Sequence, residues 1–405
     1  MTTHYDVLII GAGPAGLSAA IEMKSLAPHL NIGIIDEYLL AGGRLLGQLY
    51  EESKGQWWNG FRKSEELRQQ IQQLNIDLFL EVSVYDLIIK DESVTFFTER
   101  GRMTSKYALI ATGASEVPTP IEGWTLPGVM SVGAAQVMTN VHRVKPGKQG
   151  VIIGVNMLSS AIAMELALAE VNVKAMALPL YSIENEQHAI PKVIFKQVMA
   201  AAHMAPSLLA KLGSKILFTD HLKDFAIQFY PKKGIKMWGI PIYMRSAIKR
   251  IEGEGKVERV IMVDITTDGK EIPSTERAIP ADFVCLSGGL TPLAELVSLA
   301  GVPFYAIEAL GGHVPLHNEQ METPIPQIFV AGNVTGIEGA KVAMAQGRVA
   351  AQSILLRFNQ SSKKQLQQRI AQVHEERRHA AIQFHPLLEQ GREELYEKWK
   401  LEQSQ

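Results

Sequence analysis

Two stretches of this chain are variants of one design, and together they limit the fold more than any other feature. Residues 7–16 read VLIIGAGPAG and residues 151–160 read VIIGVNMLSS. Each is an apolar strand running into a glycine turn that opens a helical pattern. A strand apolar at every position is covered on both faces, which parallel sheets with helices on each side achieve. The second copy keeps Gly154 but places Asn156 and Ser159 where the first has Gly13 and Gly16. The fold expected is α/β, with two Rossmann-like dinucleotide-binding domains and a helical C-terminal tail.

The first copy carries the full nucleotide fingerprint. A strand over residues 6–10 leads into Gly11, Ala12, Gly13, Pro14, Ala15 and Gly16, and helical periodicity continues to about Ala27. A second strand, residues 32–35, ends in Asp36, about 20 residues past the last glycine of the turn. Gly11 permits the tight turn, Gly13 lets backbone approach a pyrophosphate, and Gly16 lets helix and strand pack closely. The helix N-terminus adds unpaired N–H donors and a positive dipole end. Asp36 is placed to accept from ribose hydroxyls. A glycine turn without ligand is the plainer reading, but it does not explain strand, helix, second strand and terminal acid together.

Three further segments bear on which dinucleotide is held. Residues 107–114, YALIATGA, read as a strand ending in small residues. Residues 323–333, TPIPQIFVAGN, read as another strand, and 336–348 as a helix rich in small residues. These segments resemble the ATG and late glycine-acid signatures of two-dinucleotide-binding flavoproteins, the pyridine nucleotide–disulfide oxidoreductase superfamily. The resemblance implies FAD at the first turn, with the late segment near the ribityl chain and the helix after it aimed at the flavin ring. A positive helix end there would favour the anionic reduced flavin. The family's late acid is Asn333 here, which removes a charge from that contact. An ADP-containing ligand without flavin is the reading this change keeps open.

Finer matches narrow the resemblance. Ala41, Gly42, Gly43 and Arg44 with Gln48 stand where relatives place a segment beside the flavin. Residues 123–136, 284–296, 311–324 and 332–347 are similar to the FAD-binding subunits of hydrogen cyanide synthase and of opine oxidases. What this implies is a subunit of a heteromeric amino-acid or opine dehydrogenase. The candidate cofactor contacts are Gly11, Gly13, Pro14, Ala15 and Gly16 at the turn, and Asp36 and Glu37 after the second strand. They continue with Gly43, Arg44 and Gln48, then Val82, then Ala111, Thr112 and Gly113, and finally Gly332, Asn333 and Ala340. Members of that group often carry a cysteine-rich segment for a 2Fe–2S centre; this chain has only Cys285. One cysteine excludes an internal disulfide, a CxxC pair and a cysteine-ligated cluster within this sequence.

The second copy is expected to keep its fold and lose its ligand. Residues 151–178 form another strand–helix–strand pattern, and residues 161–167 resemble the helix of the NAD(P)H domain of the same superfamily. The Asn156 side chain would stand where a pyrophosphate needs room, although Asn tolerates positive φ. The second strand ends in Ala177, Leu178 and Pro179, with neither an acid for a ribose diol nor an Arg for a 2′-phosphate. A flavin without an NAD(P)H donor takes electrons from an organic substrate or from another subunit. If directly, a substrate hydride goes to flavin N5 while a base removes an N–H or O–H proton. The sequence names no base. The resemblance implies a companion subunit of the D-amino-acid-oxidase type. The competing readings are an NAD(P)H-dependent flavin or acceptor reductase, and a non-catalytic subunit holding FAD or an adenine nucleotide.

The expected domains are 1–117 with 285–357 for FAD, 118–284 for the second Rossmann-like domain, and 358–405 as the tail. Residues 181–215 break the pattern with apolar helical stretches, a subunit contact or pocket wall. Strands are expected to resume near 216–218, 226–230, 248–252 and 257–265. A net charge of −2 gives no reason to expect nucleic acid or an anionic membrane as partner. No uncharged apolar run reaches the roughly 18–20 residues of a spanning helix, and no basic, apolar leader precedes the first strand. The expected setting is cytoplasmic, with a small-molecule substrate, a companion flavoprotein subunit or a homo-oligomer. His313 and His317 with Glu319 lack a fixed third metal ligand, and surface or substrate contacts are expected of them. Trp57 and Trp58 are read as a flavin cover or an aromatic packed beneath a loop. Cys285, in an apolar strand, is read as a small buried hydrophobe.

Overall fold

The computed structural model describes residues 3–53, 55–182, 186–200 and 227–403. The chain divides into two compact units. The first comprises Met1–Gln48, Trp58–Ser115 and Thr291–Gln405, and the second Leu49–Trp57 and Glu116–Leu290.

In the first unit, strand Thr3–Ile10 lies between Ile32–Ile35 and Gly101–Ile110, parallel to both, with Asp77–Phe79 beyond Ile32–Ile35. Ile328–Val330 pairs parallel with Gly101–Ile110, and the antiparallel strands Ser93–Thr98 and Val84–Lys90 complete the sheet. Alternate residues of the first strand serve opposite faces. Val7 and Ile9 pack with Leu17, Ala20 and Met23 of helix Pro14–Leu26 and with Val349 and Ile354 of helix Ala340–Arg357. Leu8 and Ile10 pack with Phe96, Leu296 and Val297. All four are buried, which is why residues 7–10 of the strand are apolar on both faces. Each such side chain contributes about 1.5–3 kcal/mol on burial. The helix expected over 336–348 begins later, at Ala340, because residues 332–339 are held as a turn.

The second unit repeats the plan. Gly150–Ile153 lies parallel between Val173–Pro179 and Phe283–Leu286. Val129–Ser131 flanks Phe283–Leu286, and the long strand Ile240–Glu252 continues the sheet beyond Val173–Pro179 into antiparallel Arg259–Asp264 and Arg277–Pro280. Ile152 faces Ile162 and Leu166 of helix Met157–Leu168, while Val151 and Ile153 face Ile251, Val260 and Met262.

Two expectations need correcting. Residues 227–230 are a helix end and turn, not strand: the Tyr230 N–H donates to Ile227 O, and its hydroxyl donates to Ile242 O at 2.7 Å. The strand expected at 248–252 is only the end of Ile240–Glu252. The expected helical stretch 181–215 is seen as helices Glu186–Ala189 and Pro191–Ala200; residues 183–185 and 201–215, like the strand expected at 216–218, lie outside the described residues. No described helix is long and apolar enough to cross a membrane.

Candidate nucleotide site and its degenerate twin

Backbone demands fix the first glycine turn. Gly11 has φ +108°, and a Cβ there would run into the Ala111 carbonyl; one at Gly16 would run into the Gly11 carbonyl. Both positions therefore need glycine for close backbone packing. Gly13 is different. A Cβ there would have nothing within 4 Å, so its glycine leaves open space at the start of helix Pro14–Leu26. No side chain caps that helix; Pro14 takes the first turn, where a missing N–H costs nothing. The arrangement has the geometry of an anion cradle.

Other candidate residues gather around it. Asp36 Oδ2 accepts the Ala12 N–H at 2.6 Å and Oδ1 accepts the Tyr38 N–H at 2.8 Å. Burial pushes the Asp36 carboxyl up, and the two backbone donors oppose that. An ionised carboxylate accepts about four hydrogen bonds, so capacity for hydroxyl donors is left. Gly43, with φ +53°, brings its backbone over Gly13: a Cβ on Gly43 would lie 3.0 Å from Gly13 Cα. Arg44 Nη2 donates to Ala114 O at 3.1 Å, and Gln48 Oε1 accepts from Trp58 Nε1 at 3.0 Å. Ala111 N–H donates to Ile10 O at 2.8 Å, Thr112 Oγ1 donates to Leu293 O at 2.5 Å, and Gly113 has φ +82°. Val82 is buried behind Asp36, whose carbonyl accepts its N–H at 3.1 Å. Glu37 is exposed.

The late segment reaches the same turn. Gly332 packs on Ala15, where an added Cβ would stand 3.0 Å from that of Ala15, and a Cβ on Gly347 would strike the Ala15 carbonyl. Asn333 Oδ1 accepts the Glu338 N–H at 3.2 Å. Ala340 is buried at the start of its helix, whose cap Gly339 offers no side-chain bond. Lys341, one residue on, stands over the Trp58 ring, 5.2 Å from its centroid; Trp57 is exposed.

The twin turn copies this geometry up to one residue. Gly154 has φ +107° and packs on the Ser287 carbonyl as Gly11 packs on that of Ala111. Its N–H donates to Ala177 O at 2.8 Å, as that of Gly11 donates to Ile35 O at 2.8 Å. Asn156 then fills what Gly13 leaves open. Its backbone is extended, with φ −149°, so the positive φ that Asn tolerates is not used. Its Oδ1 accepts the Ser159 N–H at 2.9 Å, while Ser159 Oγ accepts the Asn156 N–H at 3.0 Å, a closed capping box. Asn156 Nδ2 donates to Ser287 O at 2.9 Å. The chain's own side chains occupy the helix N-terminus.

Sequence reasoning missed two clusters. In the second unit, buried Glu165 accepts from Leu49 N at 2.9 Å, Gln136 Nε2 at 2.6 Å and Asn140 Nδ2 at 3.0 Å. Burial pushes its carboxyl up to about 7, against the pull of these three donors. In the first unit, Arg377 Nε donates to Glu338 Oε1 at 2.6 Å and Arg392 Nη2 to Glu338 Oε2 at 2.8 Å, all three buried. Burial alone would raise the Glu338 carboxyl, but the two guanidiniums hold it below the usual range. His317, expected at the surface or on a substrate, is buried here: its Nδ1 is 2.8 Å from Pro315 O, and burial and Arg392 push it down to about 3. The correction has a physical cause, since a neutral ring is what an apolar site beside Arg392 tolerates. Cys285 is fully buried, its thiol pushed up to about 12 by burial and by Glu116.

Comparison with known proteins places this geometry. The pyridine nucleotide-disulphide oxidoreductase family model matches residues 5–347. The chain is 26% identical to one of the opine oxidase subunits of Agrobacterium tumefaciens (strain Ach5), over 88% of this chain and 66% of that one. It is also 26% identical to the HcnB subunit of hydrogen cyanide synthase from Pseudomonas aeruginosa, over 86% of this chain and 70% of that one. This chain thus spans about two thirds of the length of the curated relatives it matches. Among solved structures, L-proline dehydrogenase from P. horikoshii shares the fold with a TM-score of 0.66 at 20% identity, covering 92% of this chain and 59% of that one.

Proposed function

The chain belongs to the pyridine nucleotide-disulphide oxidoreductase family, and from that premise we propose that it is the FAD-holding subunit of a heteromeric dehydrogenase. The proposed substrates are amino acids, imino acids or opines. The observation that carries this reading is the contrast between an open helix N-terminus at Gly13 and a self-capped one at Asn156. In the first unit, the N–H groups after Gly13 would hold the pyrophosphate, Asp36 the ribose, and the segments at 43–48, 111–113 and 332–340 the flavin end. Bound FAD would supply the two-electron acceptor that this chain's side chains lack. In the second unit, the Asn156 side chain stands at the helix start and takes the Ser159 N–H, and the strand ending at Pro179 offers no acid for a ribose. Electrons then come from an organic C–H donor or a companion chain rather than from NAD(P)H.

The names of the two relatives, one an oxidase of opines and the other a synthase of cyanide, support the substrate class and the companion chain. The test is purification from the native source, with release of the bound nucleotide by denaturation. FAD is expected, together with a co-purifying second chain, and the pair should reduce a dye acceptor with an opine or small amino acid. A lone chain holding only an adenine nucleotide would contradict the proposal.

A further inference from the structure

The last two helices lie beyond the stretch matched by the family, yet they end on its glycine turn. Helix Lys363–Arg378 supplies Arg377 and helix Leu388–Glu402 supplies Arg392. Leu366, Ile370 and Val373 join the core beneath Pro14–Leu26, and Leu395 joins Ile307, Leu310 and Val314. Apolar packing alone would dock these helices. Two buried guanidiniums are an expensive addition, so their partners are informative.

Both polar groups of Gly332 lead back to them. The Gly332 N–H donates to Gln346 Oε1 at 2.9 Å, and Gln346 Nε2 donates to Glu338 Oε2 at 3.1 Å. The Gly332 carbonyl accepts from Thr335 Oγ1 at 2.8 Å, and the Thr335 carbonyl accepts from Arg392 Nη1 at 2.6 Å. Glu338 in turn binds Arg377 and Arg392, and its N–H donates to Asn333. Gly332 has φ +81° and touches Ala15, so its peptide orientation decides where Asn333 stands relative to the open turn. With His317 uncharged, two guanidiniums face one carboxylate, leaving one net positive charge under this segment.

We propose that the two C-terminal helices clamp the Gly332 turn through Thr335, Glu338, Arg377 and Arg392, which are positioning residues for the ligand held against Gly13. The inference rests on the FAD reading for the identity of that ligand, and on the hydrogen-bond chains for the clamp itself. The uncharged Asn333 amide then lies beside a network of net positive charge, which would favour electron density on a bound flavin ring.

The test uses Thr335→Val, which removes the hydroxyl but keeps the volume, Thr335→Ser, which restores it, and Arg392→Lys, which keeps the charge but loses the fork. In protein freed of nucleotide, amide exchange at Gly332 should speed up about tenfold in T335V and R392K, and not in T335S. On adding FAD, T335V and R392K should bind it about tenfold more weakly, with a shifted visible spectrum and a lowered reduction potential. Unchanged exchange, affinity and potential in both variants would overturn the clamp. If the wild-type chain takes up no FAD, the flavin assignment fails, while the exchange measurement still decides whether the clamp exists.

Discussion

Gly13 and Asn156 stand at corresponding places in two turns that are otherwise alike. Gly11 and Gly154 share their φ within a degree, +108° and +107°, and each packs against a carbonyl of the neighbouring strand. What differs is what occupies the start of the helix. At Gly13 no side chain caps the helix start, whereas at Asn156 a reciprocal cap takes the Ser159 N–H and fills that space. Glycine stands in both turns where a Cβ would strike backbone, and the turns differ at the position where a Cβ would strike nothing. Gly11 and Gly154 answer to backbone geometry; Gly13 does not, and the proposed function assigns it to the ligand.

Substitution at the four positions separates those demands. Gly11→Ala and Gly154→Ala should be the most damaging, each losing about 3 kcal/mol or more through positive φ and collision with backbone. Denaturant unfolding would check this, and a harmless Gly154→Ala would break the parallel between the units. Gly13→Asn, which copies the twin, should leave the melting temperature unchanged or slightly raised while weakening FAD uptake at least a hundredfold. Titration with FAD reads the second effect and calorimetry the first. Uptake at wild-type affinity would mean that the pyrophosphate lies elsewhere.

Glu165 gives the second unit a pH signature of its own. Its folded-state pKa, near 7, exceeds that of the unfolded chain. The unfolded state therefore loses its proton first, and stability falls as pH rises between about 4.5 and 7. Glu165→Gln should remove that slope, so the variant gains on the wild type by up to roughly 2–3 kcal/mol on going from pH 5 to pH 8. Parallel melting curves at both pH values would contradict the assignment. A smaller loss, about 1 kcal/mol, is expected for Asn156→Ala from its cap. Chemical unfolding measures it, and a null result would mean the cap contributes nothing.

The strands that lead into the two turns, and the first turn itself, are legible because their residues meet local demands. Runs such as VLII and VIIG announce two covered faces, and Gly11, Gly16 and Gly154 announce close backbone contact. The altered twin is legible as a place where the Asn156 side chain takes up space, but the reciprocal cap with Ser159 appears only in the structure. Helix Ala340–Arg357 was placed four residues early because what delays it is tertiary: Gly332 is oriented by Gln346 and Thr335. Arg377 and Arg392 gave no signal. They lie 39 and 54 positions from Glu338 in a polar stretch, where an arginine normally faces water. His317 misled for the same reason, as only the fold shows that Arg392 covers it. Glu165 sits at a core position of an apolar helix, and that lone acid was the available clue.

The difference between the turns is tested most directly by mixing the FAD-loaded protein with NADH or NADPH in the absence of oxygen. On the proposed reading, in which Asn156 keeps a coenzyme from the second turn, the flavin absorption should persist over minutes with either coenzyme and fall only on adding dithionite or an organic substrate with its companion chain. Bleaching within the mixing time by a reduced nicotinamide coenzyme would show that the second turn binds after all.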